Sequence, residues 1–113
     1  MVEVDELIEK TLEETEYPVF EYRAITKDPT YIVYYIWSKK DVEFADDMAI
    51  MYEVRATVNV YTPKKDKPLI NLITTKLDEA GFAIINNYGV YSSETGRIQT
   101  IIEIMYEGFY DGD

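Results

Sequence analysis

The stretch from Ala49 to Tyr61, AIMYEVRATVNVY, decides the fold. Ile50, Tyr52, Val54, Ala56, Val58 and Val60 fall on one side of an extended chain, and Met51, Glu53, Arg55, Thr57, Asn59 and Tyr61 fall on the other. Successive side chains of a strand point to opposite faces, so this alternation predicts a strand with one face in a core and the other turned away from it.

The segment before it behaves differently. Tyr31 to Ser38, YIVYYIWS, also reads as a strand, with Tyr31, Val33, Tyr35 and Trp37 pointing one way and Ile32, Tyr34 and Ile36 the other. Both of its faces are apolar or aromatic, so something must cover the second one. Lys39 to Asp47 then reads as a polar loop. Further upstream, Val19 to Ile25 (VFEYRAI) is a first strand, closed by a turn at Lys27-Asp28-Pro29. Val2 to Glu14 is a helix, with Val4, Leu7, Ile8 and Leu12 in one stripe and Asp5, Glu6 and Glu9 near its positive N-terminal end. Pro18 bars its continuation.

Downstream, Thr62 to Lys67 is a basic turn. A second helix follows from Pro68 to Ala80, with Asp66 or Lys67 as cap, Gly81 as stop, and Leu69, Leu72, Ile73, Leu77 and Ala80 as its stripe. Phe82 to Tyr91 is a strand with an irregularity at Asn86-Asn87. Ser92 to Gly96 is a hairpin loop, Arg97 to Tyr110 the last strand, and residues 111–113 a frayed tail. The order is α-β-β-β-α-β-β. Helices interrupting runs of strands point to an α+β fold: a mostly antiparallel sheet of four or five strands with both helices on one face. The length of 113 residues fits a single domain, 1–113.

Composition narrows the chemistry. There is no Cys and no His, which removes disulfides, thiolate metal sites and the commonest general base. A net charge of −11 is the reverse of what binds nucleic-acid phosphates or an acidic membrane surface. The amphipathic acidic N-terminus lacks the basic and long apolar regions of a signal peptide, and no run is long and apolar enough to span a membrane, so the expected place of synthesis and assembly is a cytoplasm. Asp41, Glu43, Asp46 and Asp47 cluster as divalent-cation ligands do, but without EF-hand spacing, and the plainer reading is a solvated acidic loop. Glu21, Glu53, Glu103 and Glu107 lie on strands, where Arg23 and Arg55 are natural cross-strand partners. Serines have no His to activate them, and no phosphate-binding glycine motif occurs. No catalytic residue, metal or cofactor is expected.

The double-faced aromatic strand instead suggests an interface. Tyr and Trp bury area while keeping a polar tip, and two short helices cannot cover both sides of such a sheet. Tyr31, Tyr34, Tyr35 and Trp37, with Met51, Tyr61, Ile101 and Met105 on outer faces, are the candidate subunit contacts.

The succession is similar to the tail terminator and related head–tail joining proteins of long-tailed bacteriophages. An N-terminal helix leads into YPVFEYR, the aromatic YIVYYIW and an acidic loop. The long strand YEVRATVNVYT, a helix ending LDEAGF and the closing IQTIIEIMYEGF follow. The likeness spans almost the whole chain, and Tyr52 to Tyr88 carries it best. It implies a non-enzymatic virion protein forming a homo-oligomeric ring, commonly a hexamer and monomeric when free in some cases. Its partners would be tail tube and head-connector proteins, with no membrane and no sequence-specific nucleic acid. On this reading Asp41, Glu43, Asp46 and Asp47 line a channel that repels DNA phosphates. Two rivals remain open: an acidic decoy that imitates DNA and occupies a DNA-binding host enzyme, and a small enzyme working with carboxylates alone.

Overall fold

A computed structural model describes residues 3–94 and 96–110. Its elements run α1 (Val4–Glu13), β1 (Val19–Glu21), β2 (Tyr31–Ala45), β3 (Met48–Thr62), α2 (Lys67–Glu79), β4 (Ala83–Ser92) and β5 (Arg97–Phe109). The fold is α+β and its element order is the expected one. Val2, Thr95 and the tail 111–113, assigned above to helix, hairpin and tail, lie outside the described residues.

Local chemistry sets the helix ends. The Asp66 side chain accepts a hydrogen bond from the Leu69 amide at 3.1 Å and caps α2, with Pro68 in its first turn. At the other end Gly81 adopts φ 102°, which lets the Phe82 amide reach back to the Leu77 carbonyl at 3.0 Å. In α1, Val4, Ile8 and Leu12 are buried on one face, while the Thr11 and Thr15 hydroxyls donate back to the Leu7 and Leu12 carbonyls.

The five strands lie in the order β1-β2-β3-β5-β4. All neighbours are antiparallel except β1, which pairs parallel with β2. Two sequence expectations change here. The first strand is only three residues long, because Tyr22 turns to φ 66° after its amide has bonded the Tyr34 carbonyl. The polar loop expected at 39–47 is mostly strand: β2 continues to Ala45, and Asp46 and Asp47, both at positive φ, make a two-residue hairpin into Met48. Bulges between Ile36 and Ser38 and between Asp41 and Glu43 carry this ladder forward.

Both helices pack on one sheet face. Ile8, Leu12, Ile73 and Leu77 meet Ile32, Tyr34, Val54, Val58, Val60, Ile102 and Ile104 in one buried cluster. Each such side chain contributes roughly 1.5–3 kcal/mol by leaving water. Leu72, placed above on the α2 stripe, is 43% exposed and stays outside this cluster.

Candidate functional site: the open sheet face and its arm

The opposite face of the sheet has no helix over it among the described residues. It carries the odd-numbered side chains of β3 and β5 and the register-matched residues of β2 and β4. Tyr31 and Tyr61 stack there with ring centroids 4.7 Å apart, and the Arg97 guanidinium lies 5.5 Å from the Tyr31 ring. Gln99 Nε2 donates to Asn59 Oδ1 at 3.0 Å. Tyr22, from the bend after β1, stacks on Tyr35. Burial, together with neighbouring Tyr31 and Tyr35, raises the Tyr61 hydroxyl above its ordinary pKa.

The sequence-based candidates divide on this geometry. Tyr31, Tyr35, Met51, Tyr61, Ile101 and Met105 lie on the open face and are half-buried. Trp37 is the additional residue of the first bulge and is half exposed. Tyr34 must be withdrawn from the interface set. It pairs with Val58 on the helix-covered face and is 2% exposed in the core, so the monomer itself covers it. Alternation within β2 gave the two faces correctly, but both are aromatic, and nothing in the strand alone says which one the helices take.

The acidic segment is also relocated. Asp41 and Glu43 are strand residues, and Asp46 and Asp47 form the tip of a two-stranded arm. Tyr110 fastens the base of this arm: its amide donates to the Ile50 carbonyl at 3.0 Å and its hydroxyl to Asp41 Oδ1 at 2.5 Å. That hydroxyl bond is the main cause of a raised Tyr110 pKa. Among the described residues no three acidic side chains converge as metal ligands do. Phe44 and Met48 stand 62% and 71% exposed beside the tip, a feature hidden in the sequence by the surrounding charge.

Of the strand carboxylates, Glu53 has two cationic partners. Glu53 accepts a hydrogen bond from Arg55 Nε at 2.8 Å and lies 3.9 Å from Lys40. The Arg55 bond, with these two positive charges, holds its carboxyl below the usual range, the reverse of what a general acid needs.

At the far end of the sheet from the arm, a groove of about 510 Å³ opens between the start of α2 and the edge strand β4. Ile70 stands on its helix side, Tyr91 and Ile98 on its sheet side, and Lys65, Asp66 and Lys67 at its rim.

These features define an α+β fold with one helix-covered and one open sheet face and a projecting β-arm. No family model matches the sequence, and no curated protein matches it. Among solved structures the chain is similar to one from the virion of a native gene transfer agent (GTA) particle. The TM-score is 0.60 at 7% identity, over 91% of this chain and 92% of that one. At this identity the likeness is one of fold.

Proposed function

We propose that this chain is a non-enzymatic structural protein of a phage or prophage virion. Its role is that of a tail terminator or head–tail connector, working as a ring of identical subunits between tail tube and head. One observation carries the reading: the sheet face bearing Tyr31, Tyr35, Tyr61, Ile101 and Met105 has no helix over it among the described residues. In a ring, a neighbouring copy covers that face. The fold shared with a chain of a virion particle supports the setting, as does the sequence resemblance to tail-completion proteins. The charge of −11 suits a ring that DNA must pass without adhering. The acids of the arm are one candidate channel lining.

Light scattering over a wide concentration range tests this. The expected result is a discrete ring-sized mass, or convergence on one with concentration, and its loss in Ile101→Asp with circular dichroism unchanged. A wild-type protein that stays monomeric throughout, including in the presence of tail tubes, overturns the ring.

A further inference from the structure

The arm and the groove lie at opposite ends of the molecule. Along β3, Met48 pairs with Ala45 at the arm tip, while Thr62 pairs with Ile98 beside the groove. The molecule is elongated, with extents of 53, 24 and 23 Å along its principal axes. Their chemistry is complementary. The arm end is acidic through Glu43, Asp46 and Asp47 and carries exposed Phe44 and Met48. The groove has an apolar interior and two lysines, Lys65 and Lys67, flanking Asp66 at its rim. Neither lysine forms an ion pair with a described residue.

From this juxtaposition we infer that the arm tip of one subunit enters the α2–β4 groove of the next copy of the same chain. Phe44 pairs with Ala49 and Met48 with Ala45, so the two large side chains stand on opposite faces of the ribbon. A ribbon inserted between helix and sheet therefore has an apolar wall for each: Ile70 on one side, Ile98 on the other. Glu43, Asp46 and Asp47 come to lie against Lys65 and Lys67. Contact between unlike ends of one chain is heterologous, and repetition of such a contact closes a ring when the rotation allows it. This rests on the ring reading above and gives it a directional contact. It also assigns the arm acids to the subunit joint in place of the channel wall.

A charge exchange tests it. The arm variant combines Glu43→Lys, Asp46→Asn and Asp47→Gly, the last two keeping residues that favour the positive φ of this turn. The groove variant is Lys65→Glu with Lys67→Glu, and a glutamate at the first position of α2 suits the helix dipole. Each variant alone is expected to fold and to associate at least about tenfold more weakly than wild type, the scale set by close charge pairs at interfaces. Mixed in equal amounts, they are expected to co-assemble, because each arm then meets a groove of opposite charge. A single chain carrying both sets is expected to recover association by itself. If the wild type forms a ring and the variants do so equally well, the arm–groove contact is wrong while the ring stands. If each variant dissociates but neither mixing nor combination restores assembly, the contact is likewise overturned. A wild type that never associates removes both.

Discussion

Tyr52 and Gly108 face each other across the β3–β5 ladder, and the Tyr52 ring occupies the space that a side chain at 108 would need. The ring is buried, packs obliquely on Tyr106 and Tyr110, and continues through Tyr106 to Phe82. A methyl group at 108 therefore displaces one of the two tyrosines of the core. Gly108→Ala is expected to cost about 1–3 kcal/mol, the range for overpacking a filled interior. Gly89 is the control. A Cβ there meets only Ile98, at 3.9 Å, so Gly89→Ala is expected to be neutral or slightly stabilising. Urea unfolding midpoints of the two variants separate these outcomes, and equal shifts would show that the ring can move aside.

Tyr34 and Ile101 make a second contrast, one residue on each face of the same sheet. Tyr34 lies in the core at 2% exposure. Tyr34→Asp places an unpaired carboxylate there and is expected to cost several kcal/mol, a large share of an ordinary domain's stability. Ile101 is half-buried on the open face, and Ile101→Asp is expected to leave the thermal transition nearly in place while reducing association. Thermal melts of both variants, read beside their masses in solution, decide which face each side chain serves.

Stability is also expected to fall in alkali. Burial, reinforced by the carboxylates of Glu9, Glu21, Asp5 and Glu13, raises the Tyr34 hydroxyl well above its ordinary pKa, and burial raises Tyr61 in the same direction. A folded-state pKa above the unfolded value means that the unfolded chain releases its proton first. The associated stability is complete below the unfolded pKa of about 10 and is lost as pH rises from there towards the folded values. Denaturant midpoints measured between pH 8 and 11 should decline in the upper part of that range, and Tyr34→Phe should flatten the decline. An unchanged slope in Tyr34→Phe would assign the loss to other tyrosines.

The sequence made the element order and the covered face of β3 legible, because alternation from Ile50 to Val60 and the stripes of α1 and α2 are local patterns. It was silent on partnership. The parallel pairing of β1 with β2 depends on the path of 22–30 and on the bend at Tyr22, neither of which has a periodic signature. In sequence the arm reads as a loop because SKKDVEFADD is polar. Strands with both edges and faces near water need no apolar alternation, and paired aspartates at a turn resemble a loop as much as a hairpin. For the candidates on β3 and β5, placement on the open face followed from parity alone. Tyr34 did not, since the choice between two aromatic faces is made by the helices.

The arm turn supplies the last prediction. Asp46 and Asp47 both hold positive φ, 52° and 64°, the pattern of a two-residue hairpin turn that asparagine and glycine occupy with least strain. Aspartate tolerates this backbone less well than glycine, and the proposed contact with the lysine-rimmed groove of a neighbour gives its charge a use that glycine lacks. Asp46→Asn with Asp47→Gly is then expected to make the arm better ordered in the isolated subunit while weakening assembly. Asp47→Val, whose branched side chain opposes positive φ, should loosen the arm and leave the core transition unmoved, because among the described residues the arm beyond Ile50 pairs only with itself. Amide exchange at Phe44 to Met48, measured beside the association constant, checks both. Slower exchange together with tighter assembly in the Asn-Gly variant would show that the aspartates serve the fold and not the joint.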